Sequence, residues 1–439
     1  MEREAWRAVA DRLDAAIESV ASRPEECARS PGRDFARNRK LGLGNLLRLI
    51  VTMGSDALGM ELLRAWGMDA DAPTVGALCQ QWAKLNDAAM PMLHAEFLSA
   101  FEPVATAGRY WLLACDGTGL AMAPDASDAE TRLPPARGHA GRNEAHLTCA
   151  FDVARGVFVD MVAQGGRGQD EPGAAGALVD RCRPPAGLEA LWLMDRNFFC
   201  LNLLWHMARA GAHFVCRLTD ARARGLLSHW LGEAGASIGC VGSADAEVDV
   251  CVVRSASAAR SRPGEPWLYR TYQASRRFDG LAPGEGGECW LRVRVVRLAT
   301  PAGVINLATD LPGDEWPPGR LAGLYLLRWS IERAFDELKH VAGLECPHVR
   351  TLRRVTQEAW GRLTLHAAGA LAAACAAGPG REGRATDRTV ALKVAMACMR
   401  GACADLAAVC ARRTQAVRRG RRFKRRKRPR RPPAFTRRH

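Results

Sequence analysis

No stretch of the 439-residue sequence is long and apolar enough to span a membrane. The longest candidate, residues 41–60, is interrupted by Arg48, Ser55 and Asp56, whereas a spanning helix needs about 20 consecutive apolar residues. The first residues, MEREAWRAVADRLDAA, alternate between acidic and basic and contain no apolar signal core. These absences argue against a membrane protein and predict a cytoplasmic location.

The sequence also lacks the paired cysteines of a zinc ribbon or a disulfide framework. Its 15 cysteines are an odd number and are scattered, with no C-x-x-C pair. We therefore expect reduced thiols that pack as small hydrophobic side chains. A Walker nucleotide-binding loop and the H-E-x-x-H zinc motif are absent as well, which gives no support to enzymes that depend on those motifs.

Acidic residues are missing from the C-terminal segment 418–439, which contains 13 Lys or Arg residues. Removing these 13 charges from the formal net charge of +15 leaves +2 for the rest of the chain. A nearly neutral body with a dense basic arm favours a nucleic-acid partner, which the arm would bind through release of counterions. The alternative is a nonspecific solubilising or localisation segment.

Hydrophobic periodicity divides the chain into helical and mixed parts. Apolar residues three and four apart predict short helices in the first hundred residues, which form either a helix-turn-helix unit or a plain packing domain. Apolar runs then predict the order β-β-β-α-β-α-β, with strands that end at Asp116 and Asp195. The predicted domains are a helical N-terminal domain (1–105), an α/β domain (106–218, continued in the helices of 311–410), a β-rich insertion subdomain (219–310) and a disordered basic tail (411–439).

The stretch YLLRWSIERAFDELKH, Tyr325 to His340, predicts one amphipathic helix. At about 100° per residue, a polar arc roughly 60° wide lies beside an apolar stripe. The stripe contains Leu327, Ile331, Phe335 and Leu338, and the arc contains Tyr325, Arg328, Glu332 and Lys339. One interpretation is a solvated face with ion pairs four residues apart, Arg328–Glu332 and Arg333–Glu337. The other is a partly buried site at the edge of the core.

Two aspartates and one glutamate form a second polar pattern. Asp116 and Asp195 each follow an apolar run, and Glu332 lies on the helix just described. Polar residues at strand ends of α/β folds converge on one crevice, where an unpaired carboxylate is costly to bury. A divalent cation is one reason to place carboxylates there, because Mg²⁺ prefers their oxygens. For a single aspartate a turn or helix cap is the commoner explanation, in particular for Asp116 before Gly117.

The spacing Y-x2-R-x3-E-x6-K at Tyr325, Arg328, Glu332 and Lys339 resembles the signature of DDE transposases of insertion-sequence family four. The segment TDLP, residues 309–312, leads into this helix as it does in that family. The motifs DGTG and DRNF, which contain Asp116 and Asp195, are similar to its two aspartate motifs, and HAGRNEAHL, residues 139–147, is similar to the segment between them. The β-rich insertion and the basic C-terminus are further shared traits.

The resemblance implies a ribonuclease-H-like catalytic domain in an α/β (α+β) protein, with a β-rich insertion and a preceding helical DNA-binding domain. Asp116, Asp195 and Glu332 would hold two Mg²⁺ ions, which Mn²⁺ could replace. The implied DNA contacts come from Tyr325, Arg328, Lys339, Arg142 and His139. Relatives that form hairpins stack a flipped base on an aromatic residue of the insertion. Trp267 and Trp290 are the candidates, although a buried core position is the interpretation that we favour for each.

The implied reaction is cleavage at transposon ends followed by transfer of the freed 3′-hydroxyl into target DNA, through a hairpin in some relatives. The partners would be double-stranded DNA, namely terminal inverted repeats and target, and a second copy of the chain on paired ends, in the bacterial nucleoid. The alternatives are a catalytically silent DNA-binding protein derived from a transposase, and a structure-selective nuclease of the same fold. The sequence departs from the family pattern at two places. Lys84 is the one basic residue in residues 80–86, where the family has an arginine-rich segment, and Asn197 stands where relatives often have glycine.

Overall fold

Helices precede the long strands in the computed structural model, which describes residues 5–37, 40–69, 71–135, 141–231, 243–255, 268–272, 277–282, 287–300, 303–377 and 388–401. The amphipathic spacing predicted them, since residues such as Leu46, Leu47 and Ile50 fall on one face and are buried. They are α1 (Ala5–Ala21), α2 (Pro24–Cys27), α3 (Leu43–Thr52), α4 (Leu58–Ala65), α5 (Val75–Trp82) and α6 (Ala89–Ser99). None of the described helices is long and apolar enough to cross a membrane.

One mixed sheet forms the centre of the described chain. Its strands are β1 (Tyr110–Ala121), β2 (Arg132–Leu133), β3 (Arg142–Asp152), β4 (Val157–Gly165), β5 (Glu189–Met194), β6 (His213–Arg217), β7 (Ala244–Val253), β8 (Leu268–Tyr272), β9 (Glu288–Thr300) and β10 (Gly303–Thr309). The order is β2-β3-β1-β5-β6-β10-β9-β7-β8, and β4 pairs with β3. The strands β1, β5 and β6 run parallel, whereas β3 runs against β1.

Helices cover both faces of this sheet. The helices α7 (Glu171–Arg181), α8 (Leu201–Ala210) and α9 (Asp220–Leu231) pack on one face, and the helices near the chain end pack on the other. The predicted order of strands and helices from β1 to β6 is confirmed, with β2 as an addition. The predicted mixed α/β class is confirmed as well.

Segment 219–310 is rich in strands, as predicted, but it begins with α9, which the sequence analysis missed. The strands β10, β9, β7 and β8 continue the central sheet beyond β6. Their alternation of apolar and polar residues buries one face against α9 and its neighbours. The domain boundaries proposed from the sequence stay a prediction.

The helix predicted over Tyr325 to His340 is two helices, α10 (Pro318–Leu326) and α11 (Trp329–His340). Between the two helices, backbone hydrogen bonds join residues that are three positions apart. The Arg328 N–H donates to the Tyr325 carbonyl (3.1 Å), and the Ile331 N–H donates to the Arg328 carbonyl (3.2 Å). Such a turn is tighter than an α-helix and rotates the residues that follow. Leu327 is therefore 41% exposed and not buried as predicted.

The long helix α12 (Leu352–Ala377) packs between the helices of the first hundred residues and the central sheet. It packs on α1, α3 and α6 and also on β4 and α13 (Arg388–Met399), within one hydrophobic cluster. This agrees with the packing interpretation of the N-terminal helices. The connection between α4 and α5, residues 66–74, is longer than the three- or four-residue turn of a helix-turn-helix unit.

Two arginines, the buried Arg362 and the half-buried Arg400, bind the carbonyls at the carboxyl end of α3. Arg362 of α12 donates from Nη1 to the Met53 carbonyl and from Nη2 to the Gly54 carbonyl (2.8 Å) and to Glu358 (2.8 Å). Arg400 donates to the Thr52 carbonyl (3.0 Å) and to the Met53 carbonyl (3.1 Å). The last carbonyls of a helix lack helical partners, and positive charge is favourable there.

His213, at the start of β6, takes part in a network of ion pairs with residues at the starts of the neighbouring parallel strands β5 and β1. The His213 ring lies 2.7 Å from Asp310 through Nδ1 and 3.0 Å from Glu189 through Nε2. Glu189 also accepts from Arg109 at 2.8 Å. The hydrogen bond to Asp310, together with the two negative charges, raises the pKa of His213, although burial opposes the rise. The charged imidazolium is therefore the form that suits this end of the sheet.

Candidate active site

Asp116 and Asp195 lie side by side where the pairing between the parallel strands β1 and β5 ends. The register pairs Cys115 of β1 with Met194 of β5, so the next residue on each strand is the aspartate. Neighbouring strands are about 4.8 Å apart, and alternate residues share a face. Both aspartates therefore face the side of the sheet on which α10 and α11 lie.

The strand β1 does not end at Asp116, which corrects the sequence prediction. It continues to Ala121 because β3 still pairs with it there, from Asp116 opposite Cys149 to Ala121 opposite Glu144. On the other side β5 has already ended at Met194. Asp116 thus lies at the position where one neighbour of β1 stops, which leaves space at its side chain.

Arg328 connects the first acid to the third. Its Nη1 lies 3.2 Å from Asp116 Oδ2, and its Nη2 lies 2.7 Å from Glu332 Oε1. The Arg328–Glu332 pair that the helix spacing predicted is thus present. It is not a solvated surface pair, however, because Arg328 is only 4% exposed. The side chain lies between Asp116 in β1 and Glu332 in the first turn of α11.

The electrostatics of the site reflect crowded carboxylates. Burial raises the pKa of Asp116 to about 6, and the negative charges of Glu332 and Asp195 act in the same direction. The Gly117 N–H and the Arg328 guanidinium oppose the rise. Burial also disfavours the charge of Arg328, but its hydrogen bond to Glu332 and the neighbouring anions raise the pKa of Arg328 overall. Additional positive charge near Asp116 would therefore stabilise its ionised form.

Two buried donors beside the acids have no hydrogen-bond acceptor in the part of the chain that the structure describes. They are the Tyr325 hydroxyl and the Arg328 Nε. Burial raises the pKa of Tyr325 to about 12, so the phenol stays protonated and can donate. An unsatisfied buried donor costs about 1–3 kcal/mol. Such donors fit an oxygen-rich ligand such as a phosphate.

The remaining predicted DNA contacts lie at different places. Lys339 is half-buried, two helical turns beyond Glu332 on α11. Arg142 is exposed at the start of β3, where its Nε donates to Glu144 at 2.9 Å. Trp290 is 52% exposed on β9, so the core interpretation favoured for it is wrong. His139 and Trp267 lie outside the described residues.

Two residues near the acids escaped the sequence analysis. Trp329 is 49% exposed, and its ring centroid lies 4.9 Å from the Arg328 guanidinium carbon. Arg217 ends β6, where the pairing of Cys216 with Met194 places it beside Asp195. The sequence contained two signals for these residues. Trp329 lies inside the quoted stretch YLLRWSIERAFDELKH, and Arg217 is the arginine of HFVCRL, residues 213–218.

The donor chemistry of this site suits a hard divalent cation. Asp195 lies beside Asp116 in the strand register, Glu332 shares the Arg328 guanidinium with Asp116, and Mg²⁺ takes oxygen ligands from few protein groups. Among the described residues, however, no group of three or more His, Cys, Asp or Glu side chains is close enough to hold a metal ion. The Arg328 guanidinium lies between two of the acids instead. The residues therefore fit a metal in kind, provided that Arg328 moves.

Comparison with known proteins identifies the family. A family model described as "Transposase DDE domain" matches residues 107–367. The chain belongs to the DDE transposases. Three proteins of Escherichia coli strain K12, named as putative transposases InsL of the insertion sequence elements IS186A, IS186B and IS186C, are each 26% identical to it over 358 residues, which cover 75% of this chain and 85% of theirs. The cryo-EM structure of the piggyBac transposase synaptic complex with hairpin DNA aligns with 93% of this chain and 78% of that one, at a TM-score of 0.43 and 11% identity.

The family assignment confirms the resemblance seen in the sequence. The chain is a DNA transposase of an insertion sequence, and its partner is DNA. A transposase cuts DNA and transfers strands, so the chain is an enzyme of that class. The matched region contains Asp116, Asp195 and Glu332. The roles assigned to these and to the other site residues stay predictions.

Proposed function

We propose that this DDE transposase cuts and joins DNA at the site formed by Asp116, Asp195 and Glu332. The observation that supports the proposal is that Arg328 bridges Asp116 and Glu332, while the strand register places Asp195 beside Asp116. The three carboxylates would hold two Mg²⁺ ions, or Mn²⁺ in their place. When bound, such ions supply activation of an oxygen nucleophile and stabilisation of the leaving oxygen.

Basic and phenolic groups beside the acids would hold the DNA backbone. The Arg328 guanidinium suits a phosphate because it can donate two parallel hydrogen bonds. The Tyr325 hydroxyl and the Arg328 Nε supply buried donors that need acceptors. Lys339 and Arg217 would extend this positive surface as point contacts. Together these groups position the scissile bond and neutralise charge as the reaction proceeds.

The reaction proposed is hydrolysis followed by transfer. Water attacks phosphorus at the element's end, and the bond to the 3′ oxygen breaks, which leaves a 3′-hydroxyl and a 5′-phosphate. The 3′-hydroxyl then attacks a phosphodiester of target DNA, or first one of the opposite strand to give a hairpin. Each attack forms a new phosphodiester bond and displaces the 3′ oxygen of the attacked strand, which leaves as a hydroxyl. For a hairpin route, the exposed rings of Trp290 and Trp329 are the candidates for stacking on a flipped base. Two copies of the chain would work on paired ends.

The test uses DNA that carries the sequences flanking the gene, a target plasmid and Mg²⁺. We expect the wild type to release the ends and to form joined products. Glu332→Gln should bind the same DNA without cutting it. Asp336→Asn is the matched control, because Asp336 lies on the exposed face of the same helix and should retain activity.

Cutting by the Glu332→Gln variant would refute the role of this acid. The joined products separate the proposed function from its two alternatives. A structure-selective nuclease would cut without joining, and a silent DNA-binding protein would do neither.

A further inference from the structure

Arg328 occupies the place at which a cation would meet Asp116 and Glu332. One guanidinium nitrogen lies 3.2 Å from Asp116 Oδ2 and another lies 2.7 Å from Glu332 Oε1. The side chain is buried, and it is the one described group that contacts both carboxylates at hydrogen-bond distance. The positive charge of a residue of the same chain therefore already lies against both acids.

A metal ion and Arg328 cannot both hold these oxygens in the geometry observed. Mg²⁺ binds oxygen at about 2.0–2.1 Å and tolerates little distortion. A guanidinium 2.7 Å from Glu332 Oε1 lies in the same space and carries the same sign of charge. Loading of the metal therefore requires that Arg328 turn away from at least one carboxylate.

The surroundings of Arg328 indicate what would draw it away. Its Nε has no acceptor among the described residues, so the side chain can take up one more anionic partner. The exposed Trp329 ring, 4.9 Å from the guanidinium carbon, offers a surface on which the cation remains favourable as it turns outward. A phosphate of the DNA backbone provides the anion, because it accepts two hydrogen bonds from one guanidinium.

We propose that Arg328 couples metal loading to DNA binding. Without DNA it neutralises Asp116 and Glu332 and opposes the binding of a divalent cation. A DNA phosphate that captures the guanidinium releases both carboxylates, and the metal then binds. By linkage, the metal must increase the affinity for DNA by the same factor. This inference rests on the proposed function, since it takes Asp116 and Glu332 as metal ligands.

The test measures Mn²⁺ binding to the full chain by the loss of the free-ion EPR signal. Binding is measured alone and with a duplex of the element's terminal sequence that ends in a 3′-deoxynucleotide, which cannot be transferred. We expect the wild type to bind Mn²⁺ about 10-fold or more tightly with the duplex, within the usual range of coupling between sites. Arg328→Met should bind Mn²⁺ tightly without DNA, and the duplex should change its affinity less than about threefold.

Arg333→Met is the matched control. Arg333 is exposed on α11 and loses the same charge without contact to the acids, so its coupling should equal that of the wild type. Because loss of a buried charge can impair folding, Arg328→Lys is measured in parallel. Lysine keeps the positive charge but cannot contact both carboxylates through two nitrogens. The coupling between Mn²⁺ binding and DNA binding in this variant should therefore fall below that of the wild type.

The outcomes separate this inference from the proposed function. Equal Mn²⁺ affinity of the wild type with and without the duplex would overturn the coupling alone. Wild-type coupling in Arg328→Met would do the same. If the wild type with duplex bound no Mn²⁺, or if Asp116→Asn and Glu332→Gln left its affinity unchanged, the proposed metal site itself would be wrong, and the coupling with it.

Discussion

The substitution Gly117→Ala tests how tightly side chains pack against β1 next to Asp116, on the face of the sheet opposite to that acid. A Cβ atom at position 117 would lie 2.3 Å from Glu171 Oε1 and 2.5 Å from His146 Nε2. These two side chains pair with each other at 2.8 Å and are largely buried. Both distances are far below van der Waals contact, so the pair must separate or the strand must shift.

The cost follows from these contacts. Overpacking of a well-filled interior by one carbon costs about 1–3 kcal/mol. Glycine in a strand interior is itself unfavourable by roughly 0.5–1 kcal/mol relative to alanine. The sign of the effect therefore depends on the His146–Glu171 pair. With the pair present, Gly117→Ala should destabilise by about 1–3 kcal/mol; with both side chains cut back to alanine, it should stabilise slightly.

Urea unfolding of the four combinations measures this reversal as a double-mutant cycle. Gly323→Ala is the control, because that glycine lies in α10 with no atom within 4 Å of the added carbon; it should gain up to about 1 kcal/mol. A shift of β1 at Asp116 should also slow DNA cleavage by about 100-fold, since misplacement of roughly 1 Å costs that much. An equal free-energy change for Gly117→Ala in both backgrounds would refute the reasoning.

Three further predictions concern charges away from the acids. Arg362→Met should lower the free energy of unfolding by about 3–5 kcal/mol, because it breaks the buried ion pair with Glu358, which keeps His348 as its remaining partner, and removes the donors to the Met53 and Gly54 carbonyls; a loss below about 1 kcal/mol in urea unfolding would contradict it. The stabilisation that His213 provides should be complete below its unfolded pKa of about 6.5 and disappear as the pH rises through its raised pKa; a pH-independent difference from His213→Gln would count against this. Deletion of residues 418–439 should weaken nonspecific DNA binding and flatten its salt dependence, and an unchanged slope in a salt titration would show that the tail does not contact DNA.

The adjacency of Asp116 and Asp195 could be predicted because topology leaves few other arrangements. Asp116 and Asp195 follow apolar runs long enough to become buried strands, and adjacent parallel strands bring their carboxyl ends together. The position of Glu332 followed from a helix that has one buried edge. The contact between Arg328 and Asp116 could not be predicted, because it joins residues 212 positions apart and depends on how α11 packs.

The break between α10 and α11 had no local signal. No proline or glycine lies between Tyr325 and His340, and the apolar spacing passes through Leu327 without interruption. The tight turn is therefore set by tertiary packing, in particular by the burial of Arg328 against the acids. Helical periodicity can show which residues share a face, but it cannot show where a few residues wind more tightly.

The exposure of Trp290, by contrast, was available from the sequence. In ECWLRVRVVRLAT the apolar residues Leu291, Val293 and Val295 alternate with Trp290 and Arg292. Period-two alternation places the tryptophan on the face of the arginine and not on the face of the core. The general preference of tryptophan for interiors outweighed this pattern in our interpretation, and the structure favours the pattern.

Cutting the chain at residue 105 would not yield a soluble catalytic fragment. The faces of α12 and β4 that α1, α3 and α6 cover would be exposed to water, at roughly 1.5–3 kcal/mol for each large apolar side chain. The helices of the first hundred residues and the part of the chain that contains the proposed active site therefore fold as one unit. A substitution in either part can therefore alter the stability of both, because the two parts share one hydrophobic core.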